Sequence, residues 1–237
     1  MARIVTRLGR GRERKAQSIP PRAAAFRRRL LRWYGRHRRE LPWRGSTDPY
    51  AVLVSEIMLQ QTQVSRVMDF YARFLGRYPT VEDLAAASSE QVRESWQGLG
   101  YYARARNLHD AAREIVRLGT FPSHPDDLRR LPGIGRYTAG AVASLAFGAD
   151  VPAVDTNAER VIARVFGLRG LAKSARRARR LHSLAGALVP RGRSSDWNQA
   201  LMDLGATICT ARVRHCPRCP VAPACASVRL PLGVGRE

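Results

Sequence analysis

The chain has 237 residues, with 41 Lys and Arg against 19 Asp and Glu and a formal net charge of +22. This length holds one large domain or two closely packed lobes with a sizeable core, and this charge attracts polyanions, nucleic acid first and an acidic membrane surface second. A signal peptide with an apolar core and a run of roughly 18 apolar residues are both missing, so the expectation is a cytoplasmic, nucleoid-associated protein with no membrane partner.

Residues 1–22 lack hydrophobic periodicity and read as a flexible basic arm. From Ala23 the pattern becomes helical, and "AFRRRLLRWYGRHRREL" repeats apolar residues at intervals of three and four. "STDPYAVLVSEIMLQQTQVSRVMDFYARFLGRYP" offers an Asx or Ser/Thr cap before Pro49 and then Val54, Met58, Val64, Val67 and Tyr71 at helical spacing. Short helices follow, separated by "PTVEDLAAASSEQV", by "GLG" at 98–100, by "FPSHPDD" and by "LPGIG". The Arg- and Gly-rich segment 170–195 has the least decisive pattern and reads as a helix pair with a mobile connection, while 228–237 forms a tail. No period-two run or hairpin signal occurs, so the fold class is all-α.

Four features carry chemistry. In "LPGIGRYTAG", Gly133 and Gly135 bracket Ile134 and permit a tight turn with amides pointing outward, just ahead of a helix starting near Arg136. That is the hairpin of a helix-hairpin-helix element, a holder of backbone phosphate, or else an ordinary helix–helix turn. Twenty residues beyond the second glycine, Asp155 precedes a new amphipathic helix, either as a plain N-cap or as a carboxylate held ionised by helix amides. Glu56 sits among apolar neighbours, either buried with a raised pKa and able to act as a general acid, or solvated on a polar stripe with Gln60 and Gln63. Finally, all four cysteines, Cys209, Cys216, Cys219 and Cys225, fall in one segment with the spacing C-x6-C-x2-C-x5-C. The spacing suits an iron-sulfur cluster; a zinc site, with His215 as an alternative ligand, and disulfides are the other readings.

The segments "LPWR", "DPYAVLVSEIMLQQTQV", "GLGYYARARNL", "LPGIGRYTAG", "VDTNAERVIARV" and "WNQALMDLGATICTARVRHCPRCPVAPAC" together resemble the catalytic domain of the MutY-type adenine DNA glycosylases. That family lies within the helix-hairpin-helix superfamily that includes endonuclease III. The resemblance runs from about Leu30 to Cys225. It implies a six-helix barrel lobe at 42–152, and a second lobe of 23–41 and 153–227 in which Cys209, Cys216, Cys219 and Cys225 carry a 4Fe-4S cluster. The implied partner is double-stranded DNA with a mispaired or damaged base, bound by a monomer in the cleft between the lobes, with the target adenine flipped out.

The resemblance further implies that Glu56 protonates adenine at N7, that Asp155 stabilises or transiently bonds the oxocarbenium ion, and that Tyr137 and Asn157 position Asp155 and the intermediate. Leu41, Trp43 and Arg44 match the adenine pocket. Gln61 and Tyr101, with Thr62 and Leu99, match residues that enter or flank the base stack, and Gly133, Ile134 and Gly135 match the phosphate-binding hairpin. Bifunctional relatives place a Schiff-base lysine where this chain has Tyr137, and its only lysines, Lys15 and Lys173, lie in no matching motif; a monofunctional enzyme is expected. Thymine-specific relatives share the tyrosine but carry Arg-Arg-Thr where "QQT" stands at 60–62, which favours adenine over a T:G, uracil or hypoxanthine specificity and over a non-catalytic DNA-binding module. Thr156 and Ala158 depart from the family's Gly and Val. The family continues into a Nudix-like domain that recognises oxoguanine, whereas "ASVRLPLGVGRE" follows the cysteines here, so weaker discrimination of the opposing base is expected.

Overall fold

The structure, a computed structural model, describes residues 20–168, 170 and 174–229. The expected basic arm up to residue 19, the end of the tail and both lysines lie outside them. The described residues form helices joined by turns and hold no strand, only an isolated antiparallel bridge between Cys209 and Arg214. None of these helices is long and apolar enough to cross a membrane.

Two hydrophobic cores organise the chain. The first is built by α2 (Pro49–Leu59), α3 (Val64–Arg77), α4 (Val81–Ala86), α5 (Ser89–Ser95), α6 (Tyr102–Leu118), the single turn α7 (Pro125–Leu128) and α8 (Arg136–Leu145). Asp48 caps α2 by accepting from the Tyr50 and Ala51 amides, with Pro49 preset in the first turn. Every α2 residue from Tyr50 to Met58 is buried, so this helix is the axis of the core. The second core joins α1 (Arg22–His37) to α9 (Thr156–Phe166), α10 (Ala175–Leu188), α11 (Ser194–Thr207) and the cysteine segment that ends in α12 (Ala226–Arg229). The apolar stripe of α1, Ala23, Phe26, Leu30 and Tyr34, closes onto it, with Phe26 edge-on to Trp197 at 5.3 Å. Fully burying a ring such as Phe26 contributes about 2–3 kcal/mol.

A seam of Ala141, Ala153 and Met202 joins the two cores. Asn198, fully buried on α11, stitches it by donating to Ser144 Oγ (2.9 Å) and the Val151 carbonyl (3.0 Å) and accepting from the Ala153 amide (3.0 Å). Gly140 lets the chain cross tightly here, since a β-carbon on it would lie 2.4 Å from the Pro152 carbonyl oxygen. The two lobes are thereby held at one angle.

Two stretches differ from the sequence reading. The apolar spacing that runs from Val54 to Tyr71 is broken at 60–63, where Gln61 takes a positive φ of 55° between α2 and α3. The stretch 79–92, expected as a connection, folds into α4 and most of α5, each opened by a capping box: Thr80 with Asp83, and Ser88 with Gln91. In segment 170–195, α10 and the start of α11 are helical, and residues 171–173 lie outside the described residues.

Candidate active site

A cleft of about 640 Å³ opens along the seam between the two cores, within the ~300–1,000 Å³ range of small-ligand sites. Glu56, Tyr137, Asp155, Asn157, Leu41, Trp43, Arg44, Gln61 and Thr62 all line it. Glu56 arrives from the buried helix α2 and is only 5% exposed. Burial pushes its pKa from 4.5 up to about 7, against the opposing effects of a Tyr137 hydrogen bond and of the Arg44 charge, while Asp155 adds to the rise. Tyr137, on the first turn of α8, donates its hydroxyl to Glu56 Oε2 at 2.6 Å. Near neutral pH, Glu56 is a proton donor held in place.

Asp155 sits at the N-cap of α9. Its Oδ1 accepts from the Ala158 amide (2.7 Å) and its Oδ2 from Asn157 Nδ2 (2.8 Å). Both carboxyl oxygens are thereby held by donors at the start of a helix. The two sequence alternatives, cap and functional carboxylate, therefore coincide in one side chain. Asn157 is fixed in turn by Arg160, which donates to Asn157 Oδ1 (2.6 Å), to the Gly205 carbonyl (2.8 Å) and to the Cys209 carbonyl (2.8 Å). Gly205 is required at this approach of α11, because a β-carbon there would lie 2.6 Å from Asn157 Cβ.

Arg44 enters the cleft from the loop after α1. Its guanidinium donates to Asp203 Oδ1 (2.8 Å) and Tyr34 Oη (3.2 Å) and contacts Gln199 Oε1. Asp203, wholly buried on α11, also takes the Arg39 backbone amide (3.2 Å) and the Arg39 guanidinium (2.7 Å). Sequence reasoning missed Gln199 and Asp203. Both lie in the quoted "WNQALMDLGA", and the available signal was their i, i+4 spacing, which puts two polar side chains on one face of the helix. Trp43 lines the cleft floor while packing edge-on to Tyr71 in the first core, at 5.5 Å.

Gln61 and Tyr101 are the two non-glycine residues with positive φ among the described residues, at 55° and 51°, a conformation that costs ~1–3 kcal/mol and persists only when surroundings enforce it. Tyr101 is 59% exposed and reaches solvent, whereas Leu99 of the same loop is buried in the first core. In the hairpin, Gly133 takes φ 70° and lies against Asn107, with no room for a β-carbon. The Ile134 amide turns inward to the Leu131 carbonyl and its side chain is buried, so it is not an outward donor. Gly135 caps α8 without any side-chain acceptor, leaving the first-turn amides open.

The four cysteines lie apart from the cleft, in the second lobe. None forms a disulfide, and all four line one small apolar cavity with Val161, Val165 and Leu204. Among the described residues no three Cys, His, Asp or Glu side chains converge closely enough for a single ion. Burial pushes the Cys219 thiol up to about 11 and raises that of Cys225. Arg164 ties the segment to α9 by donating to the Thr210 carbonyl (2.7 Å) and to Cys209 Sγ (3.3 Å).

A family model described as HhH-GPD superfamily base excision DNA repair protein matches residues 54–181, more than half of the chain. The chain belongs to this superfamily. The matched span contains Glu56, Gln61, Tyr101, the hairpin, Tyr137, Asp155 and Asn157. The chain is 46% identical over 212 residues to an adenine DNA glycosylase of Rattus norvegicus, covering 85% of this chain and 41% of that protein. It therefore spans about two fifths of that relative's length. Among solved structures it resembles a thermostable thymine-DNA glycosylase (TM-score 0.81, 33% identity, 88% of this chain and 97% of that one). It also resembles endonuclease III in a non-covalent DNA complex (TM-score 0.72, 25% identity, 87% and 94%).

Proposed function

We propose that this chain is a monofunctional adenine DNA glycosylase that extrudes adenine mispaired with oxoguanine or guanine and hydrolyses its N-glycosidic bond. One observation carries the reading: a carboxyl with a pKa of about 7 and an amide-held carboxylate face the same nucleotide-sized cleft. A purine leaves readily once its ring nitrogen is protonated, and Glu56 supplies that proton. Asp155 stabilises the positive charge that develops on the sugar, directly or through a transient bond, and water then completes the hydrolysis. Arg44 and Gln199 offer a donor and an acceptor to the edge of the extruded base. The partner is DNA duplex, attracted by the +22 charge and held at the open amides of α8.

The likeness to a thymine-DNA glycosylase favours a second reading, removal of thymine from T:G pairs. Thymine lacks the purine N7 and departs as an anion, so a protonated acid in the pocket gives it less help than it gives adenine. A single-turnover base-release panel with A:oxoguanine, A:G, A:C, T:G and uracil mispairs decides between them. Release of adenine alone supports the proposal, and release of thymine or uracil alone sinks it. Lys15 and Lys173 lie in no motif that matches the family, and among the described residues no lysine lines the cleft, so borohydride is expected to trap little covalent adduct; efficient trapping would overturn the monofunctional assignment.

For the cysteines we propose a 4Fe-4S cluster. The donor set fits: four thiols around one apolar cavity suit a cubane, each of whose four irons takes one thiolate. When bound, the cluster cross-links the thiolates and orders the basic loop 211–215 beside α9. About four irons and four acid-labile sulfides per purified chain are expected; a single zinc would refute it.

A further inference from the structure

Arg104 stands on the first turn of α6 and is 8% exposed, yet no carboxylate pairs with it among the described residues. Its two Nη groups bond to two separate stretches, the end of α2 with the turn after it and the loop before α6, while the buried Nε has no partner among the described residues. Nη1 donates to the Ile57 carbonyl (3.1 Å), the Met58 carbonyl (2.9 Å) and the Gln60 carbonyl. Nη2 donates to Thr62 Oγ1 (3.0 Å) and the carbonyls of Gly100 (3.1 Å) and Leu99 (3.4 Å). Thr62 Oγ1 itself donates to the Gln60 carbonyl at 3.3 Å. The flat guanidinium also lies over the rings of Trp96 (5.8 Å) and Tyr101 (5.2 Å).

These acceptors have a common logic. Ile57 and Met58 belong to the last turn of α2, whose carbonyls have no partner in the helix and carry its negative dipole end, so a cation is favoured there. The remaining backbone acceptors, Gln60, Leu99 and Gly100, flank the two non-glycine residues forced to positive φ, Gln61 and Tyr101. A guanidinium has a planar fork of fixed width, so whatever its two ends bind is held at a set separation; an ammonium is a point and sets none. Three residues further along the same face of α6, Asn107 packs against Gly133 of the hairpin.

We propose that Arg104 is a positioning residue that joins the Gln61 and Tyr101 loops into one rigid wedge, so that the two side chains enter the base stack together when a nucleotide is extruded. The inference rests on reading the chain as a base-flipping glycosylase. It also links extrusion to chemistry, because the carbonyls that Arg104 grips lie in the turn of α2 that follows Glu56.

The test uses the full chain and a duplex in which 2-aminopurine, whose fluorescence rises on leaving the stack, replaces the target adenine. Arg104→Lys keeps the charge but loses the fork. With the variant shown to be folded by its circular-dichroism melt, the fluorescence rise and the single-turnover rate at saturating enzyme are expected to fall together, roughly 10- to 100-fold in rate. The alkaline limb set by Glu56 is expected to stay where it is, a limb that a generally loosened core would move. A double-mutant cycle separates positioning from mere support: Gln61→Ala and Tyr101→Ala should be non-additive in the parent and additive alongside Arg104→Lys. If Arg104→Lys does not fold, Thr62→Val removes one acceptor and should weaken the same coupling. A folded Arg104→Lys with parental fluorescence, rate and coupling, or a Thr62→Val chain with unchanged coupling, overturns the inference. A parent chain that releases no adenine from any duplex overturns the functional reading instead.

Discussion

Glu56 enters the cleft from the middle of a helix buried on all sides, whereas Asp155 enters it from a helix N-terminus that points two donors at its oxygens. The first lobe withholds water and pushes the carboxyl towards holding its proton; the second supplies an amide and the Asn157 side chain that hold both carboxyl oxygens. One functional group thus receives two environments from two kinds of backbone position, a buried helix interior and a cap. Hydrolysis of an N-glycosidic bond needs this asymmetry, since an acid must meet the departing base while an anion meets the sugar. The most direct ways to break the comparison are to neutralise each carboxyl in turn.

Neutralising the second lobe has the largest expected effect. Asp155→Asn keeps the cap, because asparagine also accepts from the Ala158 amide, but it removes the anion. A full charge about 4 Å from a developing cation at an effective dielectric near 20 is worth about 4 kcal/mol, so base release should slow on the order of 10³-fold. Binding to undamaged duplex, a phosphate contact, should be unchanged within threefold or so. Parental turnover by this variant in a single-turnover assay would dismiss Asp155 from the chemistry.

Neutralising the first lobe should act on rate and stability in opposite directions. Glu56→Gln removes the proton donor and should slow release roughly 100-fold below neutral pH. In the parent, release should fall tenfold per pH unit above about 7, as Glu56 ionises; the variant should lose that limb. The native carboxyl has its pKa raised from 4.5 to about 7, so the folded state binds more protons than the unfolded chain between those values. The stability associated with the neutral form is complete below pH 4.5 and is lost as pH rises through 7, a loss on the order of 3 kcal/mol. The melting temperature of the Glu56→Gln chain, relative to the parent, should therefore be higher at pH 8 than at pH 5. Equal differences at the two pH values would mean that Glu56 is solvated.

Several of these features were legible in the sequence. The three-and-four spacing of Ala23, Phe26, Leu30 and Tyr34 gave α1, Asp48 before Pro49 gave the start of α2, and Gly133 and Gly135 marked the hairpin before α8. The position of Asp155 ahead of an amphipathic run showed a cap, though not that the cap faces Glu56. What stayed hidden was either short or distant. With six and seven residues, α4 and α5 fall below the window in which helical periodicity emerges, and their capping boxes were the only local signal. The break at Gln61 sits where Arg104, some forty positions away in the chain, bonds to the Gln60 carbonyl and Thr62 Oγ1, so no local signal announces it. The Arg44 ion pair joins residues 159 apart in the chain, so nothing near Arg44 announces Asp203.

The smallest effect concerns the group that lies between the two lobes. Tyr137 donates to Glu56 and packs against the seam, where Met202 approaches its hydroxyl at 3.9 Å. Its hydrogen bond favours the ionised form of Glu56 and so opposes the upward push of burial. Tyr137→Phe removes that opposition. The Glu56 pKa should rise further, and the alkaline limb of base release should move to higher pH. Below neutrality the loss should be only a few-fold, reflecting one hydrogen bond of about 1 kcal/mol that no longer orients the acid. Parent and variant rates should therefore converge as pH increases, because the variant keeps its proton where the parent loses it. A pH profile of single-turnover release checks this, and a limb displaced to lower pH would show that the tyrosine hydroxyl stabilises the protonated carboxyl instead.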